Sequence, residues 1–146
     1  MLPYEIKGAA PHFCVYQMVE RLLSRHPLGK HITVEFCQVD SLPYPLPTKG
    51  PVRGLAHRPS SSPMPLIQIA VGPAETPRDI LGVLKTLCHE YRHMLQFHTR
   101  GKKGIPRALD KIEPDAIVFS LAEMTAAAQD NFPFLAGKRN KDWAYC

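Results

Sequence analysis

No C-x-x-C pair occurs in the 146 residues, and Cys14, Cys37, Cys88 and Cys146 stand far apart. That spacing excludes the usual cysteine zinc site and the thioredoxin-like redox motif. Four cysteines could make two disulfides in a secreted chain. Nothing else points to secretion, so reduced and mostly buried thiols are expected. Long apolar runs are also missing, and none approaches the length of a membrane span. The opening "MLPYEIKGAAPHF" has no basic stretch followed by an apolar one, so it does not read as a signal peptide. A cytoplasmic protein without a membrane partner is the expectation. Internal repeats are absent too, and the length suits a single domain over 1–146 with a modest core.

What the chain does have is proline, 15 residues in all, and a formal charge of +5. The basic residues gather in "RGKKG" (100–104) and "KRNK" (138–141). Short runs of this kind are usually solvated loops. Contact with nucleic acid stays as an alternative, but no recognised nucleic-acid motif accompanies the charge.

The apolar spacing of Val15, Val19, Leu22 and Leu23 predicts a helix over 11–27, closed by Pro27. Ile32, Val34 and Phe36 alternate, which predicts a half-buried strand over 31–40. The proline-dense 41–51 cannot be a central strand, because proline lacks the N–H that a ladder needs. A short strand fits 52–58, and "LIQIAVG" (66–72) is a second good strand. A long helix then opens with Thr76 as cap, Pro77 at its first position and Asp79 in its first turn, and stops at Gly101. A last helix, started by Pro114, covers 115–130. The tail from about 131 is irregular, with Phe132, Phe134, Leu135 and Trp143 expected to pack. The fold class is α+β: three helices on a small twisted sheet of about three strands.

Inside the long helix, "KTLCHEYRHMLQFH" (85–98) spells H-E-x-x-H at His89, Glu90 and His93. At about 100° per residue, His89, His93 and Gln96 share one stripe. Ile80, Leu84, Leu87, Tyr91, Met94, Leu95 and His98 fall on the opposite, apolar side, so His89 and His93 are expected to face away from the core. His98, alone on the apolar face, is read as a core histidine and left out of the site. Two imidazoles one turn apart can bind one Zn2+ ion from a single helix. Glu90 beside them is placed to act as a general base on a metal-activated water.

A catalytic zinc also needs a third protein ligand. The pattern H-E-x-x-H-x-x-G-x-x-H fails, since position 96 is Gln and position 99 is Thr. The alternatives are carboxylates on the next helix: Glu113, Asp115 and Glu123. Ile117, Leu121 and Met124 are read as that helix's inward face. Glu113, one turn before Ile117, lies closest to it, while Asp115 and Glu123 are more lateral. Asp115 stays open as ligand, as a dipole-favoured helix-start acid, or as a partner that orients a histidine.

"CHEYRHMLQ" and "EPDAIVF" resemble the gluzincin metallopeptidases, in particular the compact phage and bacterial zincins of the ImmA/IrrE type. The likeness covers about 66–126. It implies a minimal zincin-like domain, with zinc on His89, His93 and Glu113, Glu90 as general base, and peptide-bond hydrolysis. It also implies that the strand at 66–72 is a sheet edge that takes a protein or peptide substrate as an added strand. Tyr145, Arg92 and Arg100 are candidates for stabilising the oxyanion, and Tyr91 is read as core. Two rival classes remain. One is a zincin-fold regulatory or binding module with little catalysis, perhaps associated with nucleic acid. The other is a zinc hydrolase of a non-peptide amide.

Overall fold

A computed structural model describes residues 3–44 and 50–143. Part of the proline-dense segment (45–49), and with it the end residues Tyr145 and Cys146, lie outside the described residues. The elements run β1 (Tyr4–Lys7), α1 (Phe13–Arg25), β2 (Ile32–Cys37), β3 (Gly54–Ala56), β4 (Leu66–Ala70), α2 (Pro77–His98) and α3 (Leu109–Gln129), followed by a short 3-10 turn at Asn140–Asp142. The chain is α+β. Among the described residues no helix is long and apolar enough to cross a membrane.

The sheet has four strands in the order β1-β2-β4-β3, one more than the sequence predicts. The addition is β1, which pairs parallel with β2 from Tyr4↔Ile32 to Lys7↔Glu35. β2 and β4 are also parallel, while β3 runs antiparallel to β4. The alternation along β2 is as expected: Ile32, Val34 and Phe36 are buried, and Thr33, Glu35 and Cys37 are half-buried. A correction concerns β4. It is not an edge, because β2 pairs with it on one side and β3 on the other. The free edge next to α2 is β3.

Ile32, Val34, Ile67 and Ile69 form the sheet side of the core, against Val15, Met18 and Leu22 of α1 and Leu84, Leu87 and Met94 of α2. Burying each large apolar side chain of this kind is worth about 1.5–3 kcal/mol. From the tail, Leu135 and Trp143 are fully buried, and Phe132 and Phe134 pack partly against the core. Cys14 and Cys88 are buried free thiols, and Cys37 is a half-buried one.

α2 begins as its sequence predicts. Thr76 Oγ1 accepts from the Asp79 N–H and Asp79 Oδ2 accepts from the Thr76 N–H, a reciprocal capping box, with Pro77 at the first position. Burial follows the expected apolar face through Leu84, Leu87, Tyr91, Met94 and Leu95.

α3 departs from expectation. It starts at Leu109, so Pro114 lies inside the helix rather than at its first turn. The missing Pro114 N–H leaves the Asp110 carbonyl without its helical partner, and Asp110 is exposed, so water can take that place. The inward face also differs. Ile117 is 45% exposed, and the buried positions are Ala116, Ser120, Glu123, Met124 and Ala127. Small side chains there let α3 pack closely over α2. As a result His93 and Gln96 are buried under α3, not turned outward as the stripe predicts.

Candidate metal centre

Three ligand-type atoms converge where α2 passes under the start of α3. His89 Nε2 and His93 Nε2 are 3.2 Å apart. Glu113 brings Oε1 to 2.7 Å from His89 Nε2 and Oε2 to 3.0 Å from His93 Nε2. Among the described residues this is the group of acids, histidines or cysteines close enough to hold one metal ion. Two atoms each bonded to one tetrahedral zinc at about 2.0–2.1 Å lie about 3.3 Å apart. The two imidazoles meet that spacing, and the exposed Glu113 carboxylate, at 2.7 and 3.0 Å, needs to move back by roughly half an ångström. The donor set, two imidazoles and a carboxylate, suits zinc.

The other carboxylates are engaged elsewhere. Asp115 takes Arg92 Nε at 2.6 Å and Gln96 Nε2 at 2.8 Å, which puts it behind the histidines, not among the converging atoms. Glu123 is buried and bound by Arg25 Nε at 3.0 Å and by His26 Nε2, tying α3 to the end of α1. Glu123 is therefore corrected out of the ligand candidates. Glu113 reaches the histidines for a reason other than a place beside Ile117. It falls within about 20° of Ser120 and Met124 on the helix surface, in line with the true buried face.

Gln96 sets the chemistry of His93. Its Nε2 donates to Ile112 O at 2.9 Å and to Asp115 Oδ2 at 2.8 Å, so its Oε1 must face His93 Nδ1, 2.7 Å away. Oε1 can only accept, so Nδ1 carries the proton, and a neutral His93 presents its Nε2 lone pair to the centre. Arg92 extends the chain by holding Asp115 and the Gly104 carbonyl. With both commitments, Arg92 is not free to stabilise an oxyanion, which corrects its candidacy. The other two candidates differ: Arg100 is exposed and does not line the cleft, and Tyr145 lies outside the described residues. The stripe of His89, His93 and Gln96 was the signal for Gln96, but its role requires α3 above it. Replacing Gln96 with leucine is expected to weaken zinc binding by about 10- to 100-fold in a competitive chelator titration, with the fold retained by circular dichroism.

Glu90 is buried beside the histidines and accepts a hydrogen bond from the Ala56 N–H of β3. Burial pushes its carboxyl up, a rise reinforced by Glu113 and opposed by His93, His89 and the Ala56 N–H. Hydrogen bonds from His89 and His93 hold Glu113 far below the usual carboxylate range. Burial disfavours charge on His93, but Glu113, Glu90 and Gln96 outweigh it and the net direction is upward. Two carboxylates lining one cleft are thus pushed in opposite directions.

These groups line a cleft of about 380 Å³ with Gly54 and Ala56 of β3, Arg58, Phe97 and Ile112. A larger apolar hollow of about 750 Å³ lies between β1 and the end of α1, lined by Leu23, Pro27 and Leu28. It holds no convergent ligand atoms, so size alone does not mark the site. His98 stays outside the centre, its Nε2 buried without a hydrogen-bond partner. No protein-family model, curated protein or solved structure matches this chain.

Proposed function

We propose that the chain is a zinc-dependent metallopeptidase of a minimal zincin-like, gluzincin type, comparable to the ImmA/IrrE proteases. The observation that carries this reading is the convergence of His89 Nε2, His93 Nε2 and the Glu113 carboxylate within hydrogen-bond range of one another, with the buried Glu90 alongside. His89, His93 and Glu113 would hold the ion. Zinc supplies a Lewis acid that makes a water molecule acidic enough to attack an amide at neutral pH.

The remaining work falls to the chain's own groups. Glu90, its basicity raised by burial and its carboxyl fixed by the Ala56 N–H, takes the proton of the attacking water and delivers it to the leaving amine. The substrate backbone lies along β3, not β4. Leu55 pairs with Gln68, and His57 N–H donates to Leu66 O, so these positions face β4. By alternation, the Gly54 N–H and the Gly54 and Ala56 carbonyls point to the free edge, where an extended peptide can add as a strand, while the Ala56 N–H is given to Glu90.

Metal analysis of the purified protein, followed by digestion of a peptide library, tests this reading. One zinc per chain, cleavage abolished by chelation and restored by zinc are expected. A chain that takes up no zinc from a buffered supply sinks the proposal.

A further inference from the structure

Arg58 stands two residues past Ala56, on the wall of the same cleft. Its guanidinium carbon lies 4.5 Å above the centre of the Phe97 ring. Phe97 in turn is stacked on His93, with ring centres 5.7 Å apart and planes within 11°. Phe97 therefore touches both His93 and Arg58. Arg21, Arg25 and Arg92 each meet a carboxylate at 2.6–3.0 Å, but among the described residues no carboxylate meets Arg58.

A guanidinium over an aromatic face still has its N–H edge available to a ligand. That edge matches a carboxylate with two parallel hydrogen bonds, and stacking lowers the entropy lost in making them. The cleft also carries Phe97, Leu109 and Ile112, and Arg58 itself is exposed, open to an incoming substrate. We infer that Arg58 forms a carboxylate-binding subsite and that the favoured substrates are peptides with a carboxylate close to the bond cleaved. The inference rests on the peptidase reading. On a strand added to β3, Arg58 lies about 6–7 Å along the chain from the position opposite Ala56. The recognised group therefore belongs to a residue within about two of the scissile bond. It is either an Asp or Glu side chain or the C-terminal carboxylate of a short peptide.

The test uses the zinc-loaded protein and matched peptides that carry Glu or Gln at each position around the cleaved bond, each with a free or an amidated C-terminus. Wild type is expected to favour one carboxylate-bearing peptide by about 10- to 100-fold in kcat/KM. Loss of that preference on amidation identifies the terminal carboxylate, and loss on Glu-to-Gln exchange identifies the side chain. Arg58→Gln should reduce the ratio to near one, and Arg58→Glu should turn it toward Lys-bearing peptides, both with one zinc per chain as the check on folding. An unchanged ratio in Arg58→Glu overturns the inference, as does cleavage by wild type without any carboxylate preference. A wild-type protein that binds zinc and cleaves no peptide sinks the peptidase reading itself, and this inference with it.

Discussion

Glu90→Gln is expected to bind one zinc per chain with near-normal affinity and to lose peptide hydrolysis by about 10²- to 10⁴-fold in kcat. The substitution is nearly isosteric. Its amide oxygen can still accept from the Ala56 N–H, so the side chain stays in the packed space between β3 and α2. What disappears is the proton acceptor. The metal ligands keep their supports, since His93 is fixed through Gln96 and Glu113 approaches from α3. Loss of rate together with loss of zinc would place Glu90 in a structural role. Full activity in the variant would remove it from the chemistry altogether. Glu90→Ala makes a poorer test, because it also empties a buried volume against Gly54.

The parts of this molecule legible in its sequence are those whose causes are local. α2 announces itself through the Thr76–Asp79 box, Pro77 and the stop at Gly101, and its histidine stripe follows from helical periodicity. The pairing of His89 with His93, one turn apart on one helix, was legible for the same reason, whereas the approach of Glu113 follows from the buried face of α3 and not from the inward face the sequence suggested. What the sequence hid was set by contacts between distant segments. β1 has only four residues, and its burial alternates weakly, so it becomes a strand through β2. Whether β4 is an edge depends on what pairs with it: a short strand over 52–58 was legible, and Gly54–Ala56 forms it, but its place beside β4 was not. α3 begins at Leu109 behind Ala108, which gives no side-chain cap, so Pro114 offered a more visible but mistaken start. Its buried face is built from Ala116, Ser120 and Ala127, and small residues mark a close helix contact without the apolar periodicity that reveals an ordinary one. Gln96 looked like a departure from a longer histidine motif. Its function became visible only with Ile112 and Asp115 above it.

Gly54→Ala is expected to lower kcat by roughly 10²-fold while zinc content and overall fold persist. No left-handed backbone is involved, and the constraint is space. A methyl group at position 54 would stand 2.6 Å from Thr86 Cγ2 and 2.7 Å from Glu90 Cγ, with Glu90 Cδ at 3.3 Å. Neither neighbour can yield easily. Threonine is restricted at χ1 on a helix, and Glu90 is buried and tied to Ala56. Either the Glu90 carboxyl leaves the Ala56 N–H, or the edge strand moves off α2 and carries the substrate with it. Both outcomes separate the base from the bond to be cleaved, and a displacement near 1 Å is enough for a loss of about this size. Thr86→Ala removes one of the two clashes, so the Gly54→Ala/Thr86→Ala pair should recover part of the lost rate. A double-mutant cycle measures that coupling directly. Rates equal to wild type in Gly54→Ala would show that the contact between β3 and Glu90 does not position the base. A loss that Thr86→Ala leaves untouched would trace the defect to Glu90 alone.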